Sequence, residues 1–125
     1  MVSSSNSPID KWRALVRRLA TGTGQGSVAW KETPDETEFL ARVGPATLIL
    51  GRGNSGSGSI LYVRILDNTG KIIEEFNDEM LDARPGGEYY KSMLGLYQGI
   101  QRKLSGADEY LDEILSNLPD EDSPF

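Results

Sequence analysis

The chain of 125 residues contains no cysteine and no histidine. This absence excludes disulfide bonds, thiolate and imidazole metal ligands, cysteine nucleophiles and Ser-His-Asp triads. The remaining chemistry relies on carboxylate, Lys, Arg, Tyr and hydroxyl side chains, or on a cation held by oxygen atoms. The sequence therefore predicts a protein that is not an enzyme and has no metal site or cofactor. An enzyme that uses carboxylates is the least favoured alternative.

Long hydrophobic runs are also missing. No segment approaches the roughly 20 apolar residues of a membrane span, and residues 1–6 lack the apolar core of a signal peptide. Because cysteine is absent as well, the composition fits a reducing compartment. We expect a cytoplasmic protein without a membrane partner.

The net charge of −6 is distributed unevenly. Residues 1–31 carry five basic side chains and one acidic, whereas residues 104–125 carry seven acidic side chains and no basic one. The acidic balance argues against nucleic-acid binding, which requires a broad positive face. The charge pattern favours a protein partner instead.

Apolar periodicity predicts an α+β domain over residues 7–118, between a disordered N-terminus at 1–6 and an acidic tail at 119–125. Ser7 and Pro8 are typical of a helix start, and Gly22 and Gly24 of its end. Alternating segments at 27–31, 37–43, 46–50, 60–66 and 71–76 predict five strands joined by hairpins. Helices follow at 88–104 and 108–118, the second with inward-facing Tyr110, Leu111, Ile114, Leu115 and Leu118.

Strands grouped between helices predict an antiparallel five-stranded meander, with one N-terminal helix and two C-terminal helices on one face. Whether this sheet is open or curls toward a partial barrel stays undecided at the level of sequence. Residues 51–59 and 77–87 are rich in Gly, Ser or polar residues and are expected to be irregular connections.

The segment from Gly51 to Gly56 matches the letters G-x-G-x-x-G of dinucleotide-binding loops. Such a loop must open a helix, whereas this one precedes a predicted strand, so a hairpin connection is favoured over anion binding. Several acidic residues lie between positions 74 and 82, but their spacing matches no calcium-binding loop. A solvated acidic rim is the favoured interpretation of those carboxylates.

Two sets of residues are candidate binding sites. The basic residues of the first helix are either solvated, paired with the acidic C-terminal helix, or a docking surface for an acidic partner, including a second copy. Aromatic and basic residues of the strands could line a ligand pocket between sheet and helices. The first set is Lys11, Arg13, Arg17 and Arg18, and the second is Trp30, Arg52 and Arg64.

The predicted elements recur in a recognisable order. One strand contains Trp30 and the next contains Phe39, and a hairpin over residues 61–70 contains the letters Ile-Leu-Asp. Two terminal helices follow this hairpin. In this combination the chain resembles a group of small bacterial α+β proteins of unassigned function. The resemblance spans most of the chain and implies a bacterial origin. It implies no activity and no site residues.

Two functional hypotheses follow from these patterns. The first is a non-enzymatic binding or adaptor domain that acts through protein contact, including self-association. The alternative is a sensor domain that binds a small anion or a nucleotide in a cavity between sheet and helices. The first is favoured because catalytic residue types are missing and the charge is split between the two ends of the chain.

Overall fold

A computed structural model describes residues 7–56, 58–84 and 86–121. It contains a five-stranded antiparallel sheet in the order β1-β2-β3-β4-β5, so the α+β meander predicted from the sequence is confirmed. Residues 1–6, the expected disordered N-terminus, lie outside the described residues. The elements are α1 (Pro8–Gly24), β1 (Trp30–Glu32), β2 (Glu38–Val43), β3 (Ala46–Ser55), β4 (Gly58–Leu66), β5 (Ile72–Asn77), α2 (Asp78–Leu81), α3 (Glu88–Ser105) and α4 (Ala107–Ser116).

One face of the sheet, the inner face, forms the core against α1, α2 and α3. Strand alternation sends every second side chain to this face. Trp12 of α1 stacks on Phe76 of β5 with ring centroids 5.0 Å apart, and its indole N–H donates to Glu74 Oε2 at 2.6 Å. On α3, the Tyr97 ring packs against Phe39 at 5.1 Å. These aromatic contacts fix both long helices on the sheet.

The first helix begins as its sequence predicts. Ser7 is the N-cap and its hydroxyl accepts from the Asp10 N–H at 3.3 Å, while Pro8 occupies the first turn. The cap satisfies a backbone donor that has no partner inside the helix. The helix ends at Gly24, one of the two glycines at which the sequence predicts its end.

The expectation of an irregular connection over residues 51–59 is wrong. Strand β3 continues to Ser55 and β4 begins at Gly58, so the two strands form one long hairpin. The low strand propensity of glycine is overridden here because residues 51–55 pair with residues 58–62 across the hairpin, and the Tyr62 ring covers Gly51. Part of the segment 77–87, also expected to be irregular, forms the short helix α2.

The N-terminus of α3 is capped from a distance. Asp82 accepts the N–H groups of Tyr89 and Tyr90 through its two carboxylate oxygens, at 2.8 and 2.9 Å. Gly87, the residue at the cap position, has no side chain, and a Cβ there would lie 2.7 Å from Asp82 Cγ. Glycine at position 87 therefore lets a carboxylate from the preceding segment act as the cap.

Asp78 is the buried polar residue of the core, with 1% of its surface exposed. Its Oδ1 accepts from the Leu61 N–H at 2.9 Å, and its Oδ2 has no hydrogen-bond partner among the described residues. Burial raises the pKa of this carboxyl above its ordinary value, and the nearby charges of Glu79 and Asp82 act in the same direction, against the opposing effect of the Leu61 N–H. The folded state therefore binds this proton more tightly than the unfolded state does.

We expect the free energy of unfolding of Asp78→Asn, relative to that of the native chain, to be greater at pH 7 than at pH 4. A raised pKa stabilises the fold below the unfolded pKa, and that contribution is lost as pH rises through the folded pKa. Asparagine keeps an oxygen for the Leu61 N–H but cannot ionise. In urea unfolding of both proteins between pH 4 and 7, the stability of the variant minus that of the native chain should rise with pH. A constant difference would contradict a raised pKa.

Candidate interaction surface

The C-terminal helix α4 has no buried residue. Its four large apolar side chains lie on one side, together with Leu118 just beyond its end, as their spacing requires, and its acidic side chains lie on the other. The expectation that these apolar side chains face inward is therefore wrong. Their exposed fractions are Tyr110 67%, Leu111 43%, Ile114 51%, Leu115 64% and Leu118 57%.

The connection between α3 and α4 directs the last helix away from the core. A single residue, Gly106, separates the two helices and adopts a left-handed conformation with φ 72°. Arg102 of α3 forms an ion pair with Asp108 of α4 at 2.7 Å. A ten-residue helix without burial is marginally stable in water. The apolar face of α4 therefore lacks the packing that would stabilise the helix.

The opposite face of the sheet, the outer face, carries both apolar and basic side chains. Leu40 of β2 lies directly across from Ile49 of β3, and Leu66 of β4 lies in the next row, all half-buried. Lys31 of β1 is the cross-strand partner of Leu40, and Arg42 follows two positions after Leu40. Both basic side chains are exposed, and neither forms an ion pair within the ranges that the structure describes.

A polar cluster adjoins these apolar side chains on the outer face, since Arg64 of β4 is the cross-strand partner of Ile49. Arg64 pairs with Glu38 at 3.2 Å and with Glu75 at 3.1 Å, and its guanidinium lies 5.2 Å from the centroid of the Tyr62 ring. The Tyr62 hydroxyl donates to the same Glu38 oxygen that Arg64 contacts. Burial and this hydrogen bond raise the pKa of Tyr62 to about 12. The tyrosine is therefore a neutral hydrogen-bond donor at physiological pH, not a nucleophile.

The four basic residues of α1 do not share one surface. Arg13 donates to the Leu81 carbonyl oxygen from Nη2 at 2.6 Å and lies 5.7 Å from the Tyr89 ring centroid, and Arg17 donates to the Tyr89 hydroxyl at 2.8 Å. These two residues bind α1 to α2 and α3. Lys11 and Arg18 lie on a different side of the helix and are exposed. Within the described residues, no ion pair joins α1 to α4.

The three residues considered for a ligand pocket lie apart. Trp30 is buried at the inner face and donates from its indole N–H to Thr23 Oγ1 at 2.9 Å. Arg52 is exposed near the β3–β4 turn, where its Nε donates to Ser59 Oγ at 3.3 Å. Arg64 belongs to the cluster on the outer face. The structure therefore does not bring them together into one site.

Two clefts adjoin the C-terminal half of α3. The first, of about 180 Å³, lies between α1, β1 and α3, and it contains Trp30 and one charged residue, Lys103. This volume is below the roughly 300 Å³ at which ligand pockets usually begin, and far too small for a nucleotide. The second, of about 340 Å³, contains no basic residue and is lined by Glu32, Thr33, Asp35, Glu36, Glu38, Phe39, Gln101, Leu104 and Ser105. Its carboxylates would repel an anion.

The acidic residues around the end of β5 each have a structural partner. Glu74 binds Trp12, Glu75 binds Arg64, and Glu79 accepts from the Ser55 hydroxyl at 3.1 Å. Within residues 7–56, 58–84 and 86–121, no group of three or more carboxylates is arranged to hold a metal ion. These side chains therefore serve the fold.

Two surfaces were not predicted from the sequence: the apolar side of α4 and the outer face of the sheet. The apolar side of α4 was expected to face inward, although the sequence shows acidic residues on the other side of this helix. Lys31 and Arg42 are not among the predicted binding residues, yet strand alternation places them on the face opposite to that of the buried Trp30 and Ala41. That alternation was the signal for a basic and apolar outer face.

Comparison of the chain with protein-family models, with curated proteins and with solved structures gave no match. The resemblance to small bacterial α+β proteins thus stays a prediction. No helix within the described part of the chain is long and apolar enough to cross a membrane.

Proposed function

We propose that this chain is a non-enzymatic protein-interaction domain and that α4 is its recognition element. One observation carries the proposal: α4 presents four large apolar side chains to solvent on one side, and none of its residues is buried. Contiguous exposed apolar surface of this kind is typical of protein contacts. An amphipathic helix places such a stripe in an apolar groove or on an apolar face of its partner.

The charges of α4 restrict the partner. The helix contains four acidic residues and no basic one, so its contact surface is apolar with an acidic border. Opposite potentials across an interface favour encounter and suppress wrong partners. The surface that receives α4 is therefore apolar with basic residues around it. The ligand-sensor alternative has weaker support, because the cleft that contains Trp30 is small and its neighbour is acidic.

Site-specific photo-crosslinking in cells tests the proposal. A photoreactive phenylalanine analogue replaces Ile114, on the apolar side of α4, or Glu109, which points away from that side, as a matched control in the same helix. We expect covalent adducts to an identified protein from position 114, with about tenfold fewer from position 109, as a contact of one defined side requires. Equal adducts from both positions, or none from position 114, would refute α4 as the recognition element.

A further inference from the structure

We infer that α4 of one copy lies on the outer face of the sheet of a second copy, and that the exchange is reciprocal. The inference rests on the proposed function and names its partner. Each copy then contributes one helix and one sheet face to a closed two-fold dimer. The contact joins the apolar side of α4 to the row containing Leu40 and Ile49 and to the neighbouring Leu66.

The outer face supplies the apolar half of the contact. Helices α1, α2 and α3 pack against the inner face, which leaves Leu40, Ile49 and Leu66 without a covering layer of helix from those elements. Ile72, the cross-strand partner of Leu66, extends this patch at the β5 edge and is 53% exposed. A sheet with apolar side chains on both faces is normally covered on both. A helix with an apolar side, such as α4, completes that arrangement.

The charges around the two surfaces are complementary. Lys31 and Arg42 border the apolar patch on the β1 and β2 side, and neither has an ion-pair partner among the residues described. On the β4 and β5 side, Glu38 and Glu75 are already bound to Arg64, the cross-strand neighbour of Ile49. The acidic border of α4 therefore meets free basic side chains at the β1 and β2 side of the patch. The acidic residues nearest to the apolar side are Asp108, Asp112 and Glu113.

The same charges disfavour other pairings between two copies. Two α4 helices would bring together two sets of four acidic residues with no basic residue in either helix. Two outer faces would place Lys31 and Arg42 against their own copies. The α1 surface with Lys11 and Arg18 is basic, but Ile9, the large apolar residue exposed on α1, lies about half a turn from both. Of these pairings, the helix-on-sheet one satisfies charge and apolar burial together.

The helix cannot cover the sheet of its own chain in this conformation. Helix α3 packs on the inner face, and the single residue Gly106 joins it to α4. Reaching the outer face would require unwinding the end of α3. A ten-residue helix laid on a sheet buries roughly 700 Å² counted over both surfaces, so two reciprocal contacts bury roughly 1,400 Å². That area is in the range of specific dimers.

Sedimentation of the purified full-length chain over a range of concentrations tests the pairing. We expect a monomer–dimer equilibrium that is weakened about tenfold or more by Lys31→Glu combined with Arg42→Glu, because two favourable charge contacts become repulsive. Lys11→Glu combined with Arg18→Glu changes the net charge equally and should leave the dissociation constant within about twofold, since that surface is outside the contact. Circular dichroism of each variant checks that the fold is intact.

Complementation identifies the two surfaces. Leu111→Ser combined with Ile114→Ser removes apolar contact from α4, and the Lys31 and Arg42 variant impairs the sheet. Mixing the two variants should restore a heterodimer with one intact contact, although neither variant dimerises well alone. Dimerisation lost with the helix variant but unchanged with the sheet variant would overturn the inference and leave the proposed function standing. A native chain that stays monomeric would also overturn it, and crosslinking from position 114 would then decide the proposed function separately.

Discussion

Phe76→Ala is expected to lower the free energy of unfolding by about 3 to 5 kcal/mol, the usual cost of removing a large aromatic side chain from a core. Phe76 is 1% exposed, and its ring stacks on Trp12 at 5.0 Å. The variant leaves a cavity between β5 and α1 and removes the contact that positions Trp12 beside Glu74. Urea unfolding followed by tryptophan fluorescence measures the change in stability.

Ile114→Ala is the matched comparison for Phe76→Ala, because it truncates a large apolar residue that is exposed and not buried. It should change the free energy of unfolding by less than about 0.5 kcal/mol when the chain is held at a concentration at which sedimentation shows a monomer. Ile114 is 51% exposed and alanine is a better helix former than isoleucine, so little is lost in the isolated chain. A cost of about 2 kcal/mol or more in the monomer would mean that α4 packs on its own core. Such a result would contradict the structure and the proposed function.

The order and type of the main elements were readable from the sequence because local signals and the hydrophobic period agree. The cap formed by Ser7 and Pro8 fixes the start of α1, and the change from helical to alternating spacing marks the sheet. The turn at residues 67–70 joins β4 and β5 as expected: the Gly70 N–H donates to the Asp67 carbonyl oxygen at 3.0 Å. The antiparallel order follows because every strand connection is short.

Periodicity cannot say whether an apolar stripe has something to pack against. The stripes of α1 and α4 look alike in sequence, yet Val16 is 1% exposed whereas Leu115 is 64% exposed. The difference arises because α1 and α3 already cover the inner face, and Gly106 directs α4 away from it. The same limit applies to charge, since Arg13 and Lys11 are equivalent in sequence but Arg13 binds the Leu81 carbonyl oxygen. Tertiary placement decides which residues stay free to bind a partner.

Gly51→Ala is expected to lower the free energy of unfolding by about 1 to 3 kcal/mol, the usual cost of forcing extra atoms into a packed site. A Cβ at this position would lie 2.3 Å from Tyr62 Cζ, so the ring must leave its place across the hairpin. That movement also separates the Tyr62 hydroxyl from Glu38 and the ring from Arg64. The pKa of Tyr62, raised to about 12 by burial and by Glu38, should fall toward its ordinary value.

Two comparisons isolate the collision with Tyr62 as the cause. Gly53→Ala is the matched control, because a Cβ there would lie 3.6 Å from Tyr62 Cε2, an ordinary contact, and its cost should stay below about 0.5 kcal/mol. In a chain that already carries Tyr62→Ala, the substitution at Gly51 should cost equally little, so the double-mutant cycle gives a coupling of about 1 to 3 kcal/mol. Urea unfolding gives the four free energies, and difference titration of tyrosine absorbance follows the pKa. If Gly51→Ala lowers the free energy of unfolding equally with and without the Tyr62 ring, the sheet requires glycine at position 51 for its backbone conformation and not for the contact with Tyr62.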